Sequence, residues 1–359
     1  QLDGNLYGRQ SAASAYRDTL EEILLGKVTK RFRFVRGKRD PCVYRCEKTG
    51  MLIVHHIDDF DITGKEADIR HLLTVELPAH GCVLKMGELE YPGTAAEFLR
   101  RKKYTVEDAV YTMPSPSHAD NILRMLGLEN AKSSPVPGRK LDLKTPGNTD
   151  ELDEEKTSIY GSCVGCGIYL AQDRRDIMYA VKELARHLKQ PRVCDWINLK
   201  ILGRYLKGTK GMAQVTRVEP GLTWGTPLPI DVYCDSDWAG CEQTRKSTTG
   251  EVCVVAGTVV DTSSLTQPGN PATSSAEAET RGITKAAQSA LYLQHLCRED
   301  FGLETEIPRV WTDSSAARQA ARRMGSGKMR HIEVCHLYIQ ELVKTRQVLL
   351  GKVDGKENP

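Results

Sequence analysis

Residues Tyr233–Gly257, YCDSDWAGCEQTRKSTTGEVCVVAG, constrain everything around them. Just before and into them, LPIDVYC (Leu228–Cys234) is apolar and rich in β-formers, a strand that delivers Asp235 to its own end. TTGEVCVVAGTVVD (Thr248–Asp261) alternates around a glycine, as a second strand and hairpin do. In SSAEAETRGITKAAQSALYLQHL (Ser274–Leu296), Ser275 is placed to cap a helix and the Ala/Leu spacing favours one. PRVWTDSSAARQAARR (Pro308–Arg323) reads as a short strand ending on Asp313, followed by a capped helix. A carboxylate at one strand end, one on a helix and one at another strand end can converge on a single point. Such clusters hold divalent metal for phosphodiester hydrolysis, with two ions roughly 3.5–4 Å apart. Carboxylate ligands favour magnesium over zinc. A single acidic residue at a strand end is ordinarily a solvated turn residue, so the ordered set of three carries the weight.

Length and composition bound the rest. The 359 residues suffice for two or three domains, and an apolar fraction of 40% with 27% charged residues is that of a soluble protein. No stretch reaches transmembrane length, and the start, QLDGNLYGRQ, lacks signal-peptide character. It also lacks an initiator Met, so a piece of a longer product is expected. Eleven cysteines, an odd number without a framework, suggest free thiols in a reducing compartment. Cys163 and Cys166 form a CxxC in a helix-like run with no second pair at zinc spacing, so packing outweighs metal binding there. The formal charge of +3 says little without its distribution.

Upstream, LYGRQSAASAYRDTLEEIL (Leu6–Leu24) has helical spacing, and Lys27–Lys48 is strongly basic. MLIVHHIDDFDITG (Met51–Gly64) reads as strand, tight turn and returning strand, with Asp58 and Asp59 pushed out at the tip. Adjacent like charges repel unless solvent or a cation neutralises them. Glu90–Met113 suggests a strand, a basic stretch and another strand, and Pro114–Ser134 a helix. SSPVPG through TPGNTDELDEEK is rich in Pro, Gly and acids, a linker, before consecutive helices over Ser158–Pro191 and Trp196–Gly211. GSGKMRH (Gly325–His331) sets Lys328, Arg330 and His331 in a glycine-bracketed turn, and a basic loop beside a carboxylate cluster suits a polyanion. His331 can equally begin the helix HIEVCHLYIQELVKT.

The motifs DSDWAG, RKSTTG, SSAEAE, TDSSAA and RHIEVCHLYIQE resemble the RNase H domain of copia-type retrotransposon polyproteins. LYG-x-Q and the Ile57-Asp58-Asp59 box resemble the same family's reverse transcriptase, with His56 where an aromatic is usual and Tyr16 where a Trp is. Phe98-Leu99-Arg100 stands where relatives run F-L-G, and Arg174-Arg175-Asp176-Ile177 where they run R-P-D-I. The resemblance spans nearly the whole chain in collinear order. It implies an α+β palm/thumb remnant of a reverse transcriptase followed by an α/β RNase H-like domain with a mixed sheet. The expected divisions are a partial palm (1–112), a thumb-like helical segment (113–135), a linker (136–157), a helical connection (158–227) and a C-terminally truncated RNase H-like domain (228–359).

By the same resemblance Asp235, Glu279 and Asp313 hold metal for hydrolysis, Glu279 being chosen over Glu277 as the second Glu of the run, with Asp237 a structural neighbour of Trp238. Asp58 and Asp59 belong to the polymerase site, and Gly8, Gln10, Lys328, Arg330 and His331 contact nucleic acid. The implied cofactor is Mg2+, two ions per site, with Mn2+ an alternative. Implied partners are an RNA–DNA hybrid, RNA template and DNA primer, with polyprotein segments beyond both ends of the chain needed and no membrane. The implied location is cytoplasmic, within retroelement particles. The competing expectation is a catalytically dead relic that at most binds nucleic acid.

Overall fold

Three apolar blocks of the sequence become three cores in the computed structural model, which describes residues 10–359 except Glu88, Val218, Trp224, Lys328, Arg330 and His331, with the side chains of residues 10–13 also outside the description. In the first, Leu20, Ile23 and Leu24 form one face at and beyond the end of α1 (Gln10–Glu22). They pack on an antiparallel sheet of β1 (Phe34–Arg36), β2 (Val43–Cys46), β3 (Leu52–His56) and β4 (Asp59–Thr63), in that order. α2 (Glu66–His71), a π-helical turn (Leu72–Glu76) and α3 (Leu77–Ala79) close this core with Ile69, Leu72 and Leu77.

A second antiparallel sheet contains β5 (Ala95–Phe98), β6 (Arg101–Thr105) and β7 (Ala109–Met113). The basic stretch expected between two strands is itself a strand, β6. Its half-buried charges are paired, which makes this possible: Lys103 meets Asp61 on β4 and stands over the Phe98 ring, and Arg101 Nε lies 2.6 Å from Asp173 Oδ1. A fourth strand, β8 (Gln214–Arg217), pairs with β7, Ala109 lying opposite Arg217. The segment expected as a purely helical connection (158–227) thus completes a sheet begun before residue 113. Four residues are too few for strand periodicity to register in a sequence.

The third core surrounds Ile122, Tyr160, Leu199 and Leu202, contributed by α4 (Ser117–Met125), α5 (Glu154–Ala171) and α7 (Val193–Gly208), with α6 (Met178–Ala185) against them. α5 starts inside the expected linker (136–157) because Asp153 caps it, accepting the Lys156 N–H at 2.8 Å.

From Ile230 onward the chain builds a five-stranded mixed sheet. Its strands are β9 (Ile230–Ser236), β10 (Thr248–Val255), β11 (Thr258–Thr266), β12 (Arg309–Thr312) and β13 (Leu349–Lys352), ordered β11-β10-β9-β12-β13. β9, β10 and β11 are antiparallel neighbours, whereas β12 runs parallel to both β9 and β13. Ala256 and Gly257, both at positive φ (49° and 74°), make the two-residue turn between β10 and β11. α8 (Ser275–His295) lies on the central strands, with α9 (Ser315–Arg322) and α10 (Tyr338–Lys344) beside it. The helix expected from His331 starts at Tyr338, preceded by a 3₁₀ turn (Val334–Leu337). Thr284 on α8 donates its hydroxyl to the His336 carbonyl at 2.9 Å, drawing that carbonyl toward α8.

Asp300 and Arg175 are among the side chains that tie the blocks together. Asp300, 2% exposed, accepts the backbone N–H groups of Lys38 (2.7 Å), Arg39 (3.1 Å) and Asp40 (2.8 Å). Arg175 donates to the β11 carbonyls of Val259 and Val260. No described helix is long and apolar enough to cross a membrane.

Candidate metal centre

The central strand β9 places alternate residues on opposite faces. Ile230, Val232, Cys234 and Ser236 are buried, and Asp235 is exposed near the strand's C-terminal end. α8 begins at the Ser274 cap, whose hydroxyl accepts the Glu277 N–H at 3.2 Å, one residue earlier than the sequence suggests. Glu279, Ile283, Ala286, Ala287 and Ala290 then fall at helical spacing on one buried stripe. That stripe carries Glu279 inward toward β9. Helix and strand approach closely because residue 282 is glycine: a Cβ there would lie 2.5 Å from Ser236 Oγ. Asp313 follows the last residue of β12, and Ser314 then caps α9 by accepting the Ala317 N–H at 3.2 Å.

Asp235, Glu279 and Asp313 consequently bring carboxylate oxygens within 4.8 Å of one another. Glu279 is 7% exposed, and its Oε2 is buried with no hydrogen-bond partner. Burial, then the charges of Asp235 and Asp313, push its carboxyl up to about 8, against a pull downward from the Ser236 backbone N–H. Deep burial, and then the charges of Glu279, Glu251, Asp235 and Asp313, raise the Cys234 thiol well above its usual range. Clustered like charges with an unsatisfied buried oxygen fit a divalent cation, which supplies the missing counter-charge and partner.

The neighbouring acids do other work. Glu277 turns away, accepting from Thr273 and from Arg281 at 2.5 Å. Asp237 accepts the Thr248 N–H and joins the loop after β9 to β10, while a Cβ on Gly240 would meet its Oδ2 at 1.9 Å. Trp238 is anchored beside it by Nε1 donating to the Ala272 carbonyl at 2.9 Å. The C-terminal residues run along the rim: a Cβ on Gly355 would lie 2.9 Å from Asp313 Oδ2, and Asn358 Nδ2 donates to the Cys234 carbonyl at 3.2 Å.

The other aspartate pair stands in the first sheet. Ile57 and Asp58 form the β3–β4 turn, and Asp59 is the first residue of β4. Ile57 has φ 56°, a costly conformation for a β-branched residue. Asp58 and Asp59 are exposed on a groove of about 940 Å³ also lined by Asp61, Glu66, Lys85 and Lys102. Burial, Cys82 and Asp58 push the hydroxyl of Tyr16, on α1, up to about 12. Among the described residues the pair belongs to no cluster of three donor side chains. Gly8, Lys328, Arg330 and His331 lie outside the described residues; Gln10 opens α1, its side chain likewise outside.

All eleven cysteines are free thiols, and Cys163 and Cys166 lie within α5. A second group, Glu333, Cys335 and His336, also brings donor atoms within 4.8 Å. Sequence reading passes over it because E-x-C-H in one turn has no established ligand spacing.

No protein-family model matches the chain. The retrovirus-related Pol polyprotein from transposon TNT 1-94 of Nicotiana tabacum is 27% identical over 370 residues, covering 100% of this chain and 26% of that protein. The chain therefore spans about a quarter of that relative. A transposon Ty5-1 protein of Saccharomyces cerevisiae is 34% identical over 282 residues, covering 78% of this chain and 85% of the yeast protein. Among solved structures, LC11-RNase H1, isolated from compost, is 16% identical with a TM-score of 0.28, covering 36% of this chain and 87% of its own. Any functional reading rests on strand order and carboxylate geometry rather than on that likeness.

Proposed function

This chain belongs to the family of retrotransposon-encoded proteins that includes the transposon Ty5-1 protein, and on that premise we propose that it is the latter part of a copia-type reverse transcriptase joined to its RNase H domain. The proposed reaction is hydrolysis of the RNA strand of an RNA–DNA hybrid. One observation carries it: three carboxylates from two strand ends and a helix meet at one point on a mixed sheet.

Asp235, Glu279 and Asp313 would hold Mg2+, or Mn2+ in its place. A divalent cation there supplies activation of water and stabilisation of the leaving oxygen. The residues of this chain do the rest. Asp235 and Asp313, both exposed, present their charge to solvent and substrate. Glu279, held at the mouth of the core, fixes the third ligand's position through the packing of α8 on β9. Recognition through backbone and 2′-OH contacts suits an enzyme that must cut regardless of sequence. Lys328, Arg330 and His331 are proposed contacts to the hybrid.

The first sheet is proposed as the end of a palm (1–112), with Asp58 and Asp59 contributing part of a polymerase centre and Gly8 and Gln10 contacting template and primer. Residues 113–135 are read as thumb, 136–157 as linker and 158–227 as connection, the polymerase requiring polyprotein segments outside this chain. Retroelement particles in the cytoplasm are the proposed setting. The test is magnesium-dependent cleavage of an end-labelled RNA–DNA hybrid, with single-stranded RNA and Asp235→Asn as controls. We expect hybrid-specific cutting that Asp235→Asn lowers by about 100-fold or more, roughly 2.7 kcal/mol of transition-state stabilisation. No cutting by folded protein would overturn the nuclease reading for this chain and leave an incomplete fragment or a relic that at most binds nucleic acid.

A further inference from the structure

Glu333, Cys335 and His336 combine a carboxylate, a thiol and an imidazole within one turn, their donor atoms all within 4.8 Å of each other. The Cys335 Sγ–Glu333 Oε2 separation is 3.7 Å. Tetrahedral coordination with a metal–sulfur bond of about 2.3 Å and a metal–oxygen bond of about 2.1 Å puts those two atoms roughly 3.5 Å apart. Sulfur, nitrogen and oxygen together select a borderline cation such as Zn2+, where the all-carboxylate centre selects Mg2+.

The turn is held in place. His336 donates its N–H to the Glu333 carbonyl at 3.0 Å, fixing the two residues relative to each other, and its own carbonyl accepts from Thr284 on α8. Glu333 and Cys335 are exposed and His336 is half-buried, so a cation can reach the donors from solvent. Arg281 acts on His336 as a like charge, and it is ion-paired with Glu277.

We propose that Glu333, Cys335 and His336 form a zinc-type site, with three protein ligands and a fourth position open to water or an added ligand, which stiffens the turn before α10. Binding displaces the Cys335 thiol proton to solvent and uses the neutral imidazole. This site is independent of the nuclease reading, and its test needs no activity.

The experiment is Co2+ titration of the full chain, reduced and freed of metal, following the near-ultraviolet thiolate-to-cobalt charge-transfer band and the tetrahedral d–d bands. The charge-transfer band should saturate at one equivalent, be abolished by Zn2+, and persist in excess Mg2+, which competes for the carboxylate centre. Cys335→Ser, at an exposed position, should remove the charge-transfer band with circular dichroism unchanged. His336→Gln should lower cobalt affinity by about 100-fold, at or above the roughly 10–100-fold that losing a ligand's supporting hydrogen bond costs. Asp235→Asn should leave the charge-transfer band unaltered. Absence of the band, or a band that survives Cys335→Ser and so belongs to another thiol, would overturn the site.

Discussion

Glu279 sits on the apolar stripe of α8 yet faces two further carboxylates, so without metal its ionised form is penalised twice. Its carboxyl is raised from 4.5 to about 8, and the native state therefore holds a proton that the unfolded state releases. That contribution to stability is complete below about pH 4.5 and is lost as pH rises through about 8. The metal-free protein should lose stability across this window, read by urea midpoints at successive pH values. Mg2+ should recover the loss at the alkaline end, and Glu279→Gln should flatten the slope and remove the Mg2+ effect. A pH-independent midpoint in the unsubstituted protein would show that Glu279 ionises freely. Arg100 carries another local cost: with Leu99 it forms the β5–β6 turn at φ 61°, a left-handed conformation that glycine adopts without strain. Arg100→Gly should raise unfolding free energy by about 0.5–1 kcal/mol, strain relief outweighing the backbone entropy glycine adds.

The pairing of α8 with β9 is the element-scale device that builds the candidate centre. Ser236, Thr249 and Gln267 form a buried hydrogen-bond network beneath it, Gln267 Nε2 lying 3.0 Å from Thr249 Oγ1 and 2.8 Å from the Ala278 carbonyl. Gly282 fits over Ser236 with no room for a methyl group. Gly282→Ala should therefore push α8 outward and destabilise by about 1–3 kcal/mol, despite alanine's better helix propensity. Chemical denaturation measures the destabilisation and Mg2+ affinity the displacement, since Glu279 lies one turn away. A stabilised Gly282→Ala protein would mean the helix does not approach so closely.

At the scale of the molecule, Asp300 joins the first block to the last by accepting three backbone N–H groups from the turn before β2. Asp300→Ala would leave those donors without their carboxylate, at a cost of about 3 kcal/mol. Denaturation followed separately in the two blocks should then split into two transitions where the parent shows one. Arg175 works similarly on the β11 edge, where its two carbonyl contacts replace pairing with a further strand.

The sequence by itself determined the alternation around Asp235, the β10–β11 hairpin, the strand ending at Asp313 and the helix carrying Glu279, because period and capping are local properties. It also specified the β3–β4 hairpin that exposes Asp58 and Asp59. Tertiary structure alone decided that the basic run Arg101–Thr105 is a strand, since its charges are tolerable only once Asp61 and Asp173 face them. It decided that β8 completes the sheet begun by β5, and it brings Glu279, the glutamate the family resemblance singled out, onto Asp235 and Asp313 while the equally buried Glu277 pairs with Arg281, because α8's rotation is set by the fit of Gly282 and Ile283 on β9. The clustering of Glu333, Cys335 and His336 is of the same kind: sequence puts the residues near one another, but the tight turn held by Thr284 aims their donor atoms at one point.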